Sequence, residues 1–249
     1  TWGFSSMAEY TPEAAEKVLQ AASENADFMD RHVGLGKAAL PVFPRSTFQV
    51  SEDIHDPAQK IYIDFSKALD AYIAERYPGL LSRTIIGYED SMEKLLVTSD
   101  GMDCHTILPR SYCYVILTAQ TPDGNPVELF KAFGGEGTFD LNFTDPATLS
   151  PEIDALYEQL MQKREGVYAD AGLKTVILGG MMTGMLSHEA VGHTVEADLV
   201  LGGSVAGPNL NKRVASDLVT MIDFANMKED GAEAPLPVYL DDEGQIAKE

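Results

Sequence analysis

"SYCYVILTAQTPDGNPVELFKAFGG", residues 111–135, decides the fold class. Two runs rich in Tyr, Val, Ile, Leu and Phe flank a Pro-Asp-Gly turn, the composition of paired strands. Upstream, "SRTIIGYEDS" (82–91) and "EKLLVTSDG" (93–101) are also β-rich, and the second ends in a Ser-Asp-Gly turn. These runs predict a meander of antiparallel strands between roughly 82 and 137. "STFQV", residues 46–50, reads as a further short strand.

Helical segments surround the meander. "TPEAAEKVLQAASENADFM" (11–29) has a Thr cap, Pro at the first helical position and acids in the first turn. "DPAQKIYIDFSKALDAYIAERYPG" (56–79) is amphipathic and is stopped by Pro78-Gly79. "DPATLSPEIDALYEQLMQKREGVYA" (145–169) carries Ser150 as cap and Pro151 at its first position. The expected class is therefore α+β: an N-terminal α/β domain with helices packed on a largely antiparallel sheet, and then the start of a β-rich C-terminal domain.

The pattern restarts after Gly172, giving expected domains at 1–172 and 173–249. "KTVILGG" (174–180) reads as a short buried strand, and "MMTGMLSHEAVGHTVEADLV" (181–200) as a helix. "GGSVAGPNLNKR" is then a loop, "VASDLVTMID" a strand, and "PLPVYLDDEG" a strand ending in a turn. A chain that starts on Thr and ends on "DDEGQIAKE" is expected to be a piece of a longer protein, its N-terminal domain lacking its start and its C-terminal one truncated.

The formal net charge is −21, with 39 acidic against 18 basic residues. A nucleic-acid-binding surface needs basic patches to neutralise phosphates, so direct nucleic-acid binding is not expected. Two cysteines, Cys104 and Cys113, are too few for a disulfide scaffold and fit a reducing, cytoplasmic setting. No run of about 18 apolar residues predicts a membrane span.

Within the last helix, "SHEAVGHTVEAD" (187–198) holds the chemistry. In the common H-E-x-x-H motif the histidines are four apart. Here His188 and His193 are five apart, with Glu189 beside the first. On a regular helix, residues four apart differ by about 40°, and residues five apart by about 140°. A shared metal then requires a local distortion, such as a single π-bulge, and Gly192 is a point where the helix can widen. Glu189 is placed to act as a general base, and Glu196 or Asp198 to act as a further ligand or to accept an imidazole N–H. Spacing alone leaves a solvated polar helix equally open.

This segment resembles the H-E-x-x-x-H segment of the TldD/PmbA family, the "modulator of DNA gyrase" metalloproteases. "WGFSS" near the start, "TSDG" at 98–101, "VASDLVTMID" and "DDEG" at 241–244 resemble family segments in the same order. The resemblance implies zinc bound by His188 and His193, with Glu189 as catalytic base. It also implies a third ligand, a cysteine from further downstream; Cys104 and Cys113 match no family ligand. It implies hydrolysis of unfolded or extended peptides in the cytoplasm. The expected partner is a TldD/PmbA-family subunit, in a hetero- or homodimer where this chain resembles the catalytic member. The alternative is a non-catalytic scaffold or partner subunit that keeps the motif as a relic.

Overall fold

The computed structural model describes residues 2–33, 47–51, 55–99, 101–223, 225–226, 228–229, 232–233, 237–242 and 244–247. It divides into two compact units, Thr1–Pro44 and Arg45–Glu249. The first holds helix α1, Pro12–Val33. Thr11 caps it, its Oγ1 accepting the Ala14 N–H at 3.1 Å. The Asn25 amide donates to the Phe4 carbonyl at 3.0 Å and ties the leading segment to the helix.

In the second unit, β1 (Thr47–Ser51), β2 (Ser82–Val97), β3 (Asp103–Gln120) and β4 (Pro126–Glu136) form one sheet. The long β3 is its spine. It pairs antiparallel with β2 along one side. On the other side its later half pairs antiparallel with β4 and its first residues pair parallel with β1. The meander forms as expected, but 82–91 and 93–97 join as one continuous strand. The turns fall at the expected glycines: Gly101 and Gly124 take φ of 101° and 91°. That left-handed backbone suits glycine.

Helices α2 (Gln59–Arg76) and α4 (Ser150–Arg164) cover one face of the sheet. Phe65, Leu69 and Ile73 of α2 and Ile153, Leu156 and Leu160 of α4 pack on Cys113, Val115, Leu117 and Ala119 of β3. Side chains alternate along β3, so its other face carries Tyr112 and Tyr114, stacked with Tyr88 of β2. The short helix α3, Phe139–Asn142, closes the core with Phe139. Glu89 of β2 pins it, accepting the Phe139 N–H at 2.6 Å and the Tyr62 hydroxyl at 3.2 Å. Burial, and then Glu89, push the Tyr62 phenol up to about 12. Cys104 and Cys113 are both buried, and burial raises the Cys113 thiol to about 11. His32 bonds the Phe28 carbonyl, His55 the Asp140 carboxylate and His105 the Glu93 carboxylate.

The far end of the β2–β3 hairpin has its own small core. Met102 and Cys104 pack with Leu240 and Leu96, and Lys94 reaches Asp242 at 2.6 Å. Leu240, Asp242 and Gly244 therefore lie over the hairpin tip, with Leu240 bridged to Ile246. Gly244 fits there at φ 86°, where a Cβ would lie 2.7 Å from Met102 Cε.

The strands expected at 174–180 and 214–223 do not form. Val176, Ile177, Leu218 and Val219 are exposed, and among the described residues no strand pairs with either run. An apolar run becomes a strand only when a neighbour takes its backbone hydrogen bonds. Beyond 172 the described β structure is two two-residue strands, β5 (Lys228–Glu229) and β6 (Ala232–Glu233), and the single bridge. Among the described residues, no helix is long and apolar enough to cross a membrane.

Candidate metal centre

The residues around the two histidines form a succession of different helical turns. Helix α5, Gly180–Ser187, is regular. A π turn follows at His188–Gly192, then a 3-10 turn at His193–Val195. At Glu196 the backbone leaves the helix (φ −56°, ψ 134°), and α6 runs from Ala197 to Leu201. The sequence favours this irregularity. Thr183 and Ser187 hydroxyls bond back to the Gly179 and Thr183 carbonyls, a habit that loosens helices. Gly184 and Gly192 add backbone freedom. At Gly192 that freedom matters more than clearance, because a Cβ there would sit 3.5 Å from His188 Nδ1, an ordinary contact.

The π turn solves the spacing problem. The His193 N–H bonds the His188 carbonyl, an i→i+5 bond that adds one residue to the turn. The five-residue pair then faces one direction, with ring centroids 4.4 Å apart at 68°. Glu189 joins them: each of the three residues offers a ligand atom within 4.8 Å of the others. Glu189 Oε2 is 3.9 Å from His193 Nε2. All three side chains are solvent-exposed.

Of the two acids that follow, Glu196 belongs to the cluster's surroundings and Asp198 does not. Glu196 Oε1 lies 2.6 Å from His193 Nδ1. Asp198 turns to its own helix start, its Oδ1 accepting the Leu199 N–H at 2.8 Å. A residue that spacing did not single out completes the surroundings: the Ser204 hydroxyl donates to the Thr194 carbonyl at 2.6 Å.

Two imidazole nitrogens and a carboxylate oxygen are donors suited to zinc. Ligand atoms on a tetrahedral zinc at about 2.0–2.1 Å lie roughly 3.4 Å apart. A cluster within 4.8 Å reaches that by side-chain rotation, so the residues fit such an ion.

Residues 52–164 match the model of the PmbA/TldA metallopeptidase central domain, and residues 171–249 match that of the PmbA/TldA metallopeptidase C-terminal domain. A zinc metalloprotease TldD homolog of Saccharolobus solfataricus is 24% identical over 248 residues, covering 100% of this chain and 52% of the relative. A metalloprotease TldD homolog of Buchnera aphidicola subsp. Acyrthosiphon pisum is 37% identical over 182 residues, covering 70% of this chain and 36% of the relative. A metalloprotease of Archaeoglobus fulgidus is 40% identical over 79 residues, or 31% of this chain and 17% of the relative. The chain thus spans about half the length of the first of these relatives.

Proposed function

The chain belongs to the PmbA/TldA metallopeptidase family, and from that premise we propose that it carries the metal turn of a zinc-dependent peptidase of the TldD kind. One observation supports this most: the π turn gathers His188, Glu189 and His193 within 4.8 Å despite their five-residue spacing. A polar surface helix has no need of that distortion.

His188 and His193 hold the ion through imidazole nitrogens, and a cysteine further along the whole protein supplies a third ligand. When bound, zinc supplies Lewis acidity to the scissile carbonyl. Glu189 takes a proton from the attacking water onto its carboxylate and passes it to the leaving amine nitrogen. With its two histidines alone, this chain holds zinc weakly and is expected to be inactive by itself. The whole protein acts on unfolded or extended peptides in the cytoplasm, paired with a TldD/PmbA-family subunit. An extended peptide adds to a sheet edge through its backbone; equal cleavage of a substrate with methylated backbone amides would remove that binding mode.

The test is zinc content of the full-length protein, wild type against His188→Ala and His193→Ala. Stoichiometric zinc lost in both variants is the expected result. An intact wild type without zinc would favour a non-catalytic scaffold subunit instead.

A further inference from the structure

In a continuing α-helix, the Thr194 carbonyl would accept the N–H four residues on. The chain instead turns at Glu196, and α6 begins its own ladder with the Val200 N–H on the Glu196 carbonyl at 2.8 Å. That leaves the Thr194 carbonyl at the mouth of the metal turn, where the Ser204 hydroxyl takes it at 2.6 Å. Ser204 is brought there by the end of α6. The Gly203 N–H bonds the Val200 carbonyl at 3.1 Å, and the Ser204 N–H bonds the Leu199 carbonyl at 2.9 Å. With Gly203 at φ 99°, this is a Schellman ending, which reverses the chain. Ten residues after Thr194, the hydroxyl therefore returns to the metal turn.

The same exit places Glu196 over His193. The 3-10 turn puts residues three apart in line, and Glu196 Oε1 meets His193 Nδ1 at 2.6 Å. A neutral imidazole that donates from Nδ1 has its lone pair on Nε2. Nε2 is the nitrogen on the Glu189 side, 3.9 Å from that carboxylate.

We propose that Glu196 and Ser204 are positioning residues that together clamp His193, Glu196 at its ring and Ser204 at the backbone exit that follows it. Glu196 fixes the Nδ1–H tautomer and so commits Nε2 to the ion, while Ser204 holds the backbone exit that brings Glu196 into reach. Asp198, engaged at its own helix start, takes no part. This rests on the zinc-peptidase reading for its purpose, but the clamp itself exists without metal.

The experiment uses the full-length protein as wild type, Glu196→Ala, Glu196→Gln and Ser204→Ala, with circular dichroism to select folded variants. Two readouts are taken. The first is the His193 tautomer in metal-free protein, by ¹⁵N NMR at a pH where the imidazole is neutral. The second is zinc affinity by competition with a chromophoric chelator. The expected result is an Nδ1–H tautomer in the wild type that becomes mixed in Glu196→Ala. Zinc affinity should fall roughly 10–100-fold in Glu196→Ala and Ser204→Ala. The Glu196→Gln carbonyl still accepts a hydrogen bond, so that variant should recover part of both. An unchanged tautomer in Glu196→Ala overturns the clamp whatever the zinc result. An intact wild type that shows the tautomer but binds no zinc overturns the zinc reading and leaves the clamp standing. Zinc affinity unchanged in both alanine variants, with a zinc-binding wild type, overturns the positioning role.

Discussion

Deleting Val191 tests the π turn directly. A π turn carries one residue more than the α-helix around it, so removing one residue from within it restores α geometry. The deletion turns His188-x4-His193 into a four-residue pair, about 40° apart on a regular helix. Everything after the turn keeps its phase, because the bulge had already absorbed the extra residue. The control is one Ala inserted after Gly192. It makes the spacing six, about 120° off the shared face, and also turns Glu196 with it. Zinc sites built from four ligands bind with about 10–16 kcal/mol. One ligand is then worth roughly 3 kcal/mol, and its loss over a hundredfold in affinity. The deletion should keep zinc affinity of the full-length protein within about tenfold of wild type, while the insertion should lose more than a hundredfold. Chelator competition on folded protein reads both. Equal loss in the two variants would refute the view that the π turn serves only to bring the rings onto one side. Retention in the insertion would refute a shared ion altogether.

Other outcomes follow from the same geometry. Glu189→Gln should keep zinc in the full-length protein and lower peptide hydrolysis about 10²–10⁴-fold, as removal of a general base does; parallel loss of zinc would make Glu189 a ligand instead. Leu69→Ala, at a fully buried α2 position, should destabilise the chain by about 2–5 kcal/mol in urea unfolding. Gly134→Ala should cost about 1–3 kcal/mol in the same assay, because its Cβ would meet Tyr112 Cδ1 at 2.6 Å and the Ser111 carbonyl at 2.7 Å. Asp154 gives a pH signature. The Tyr72 hydroxyl at 2.6 Å, the Tyr77 hydroxyl and the Arg76 guanidinium hold its carboxyl below the ordinary aspartate value. Its stabilisation is therefore full above that unfolded value, near pH 3.9, and is lost as pH falls through the lower folded value. Wild type should exceed Asp154→Asn in stability at neutral pH, and the gap should close in acid; a gap independent of pH would remove the carboxylate's role.

Much of this molecule is written in local signals. Apolar, β-branched and aromatic runs broken by Asp-Gly turns specified β2, β3 and β4, since strand preference and left-handed turn positions are local properties. Pro12 and Pro151 at helix starts marked α1 and α4 for the same reason. The His188–His193 spacing tied any shared metal to a distorted helix, because angle per residue is fixed by backbone geometry, and the π turn supplies that distortion. Other features were not local. "KTVILGG" has the composition of a buried strand, yet its Val176 and Ile177 are exposed, because pairing depends on a neighbour and not on the run itself. Glu196 and Asp198 looked alike in sequence. Only the 3-10 turn and the break after it put one on His193 and the other on its own helix start. Ser204 gave no signal except the Gly-Gly before it, since its hydroxyl reaches Thr194 through a chain reversal. By itself the sequence determined the strands β2, β3 and β4 and the helix starts at Pro12 and Pro151, and it offered His188, Glu189 and His193 as candidate metal-site residues, because these follow from side-chain chemistry and backbone angles. Tertiary structure alone decided which strands found partners and where the Ser204 hydroxyl meets Thr194, because both depend on parts of the chain that only folding brings together.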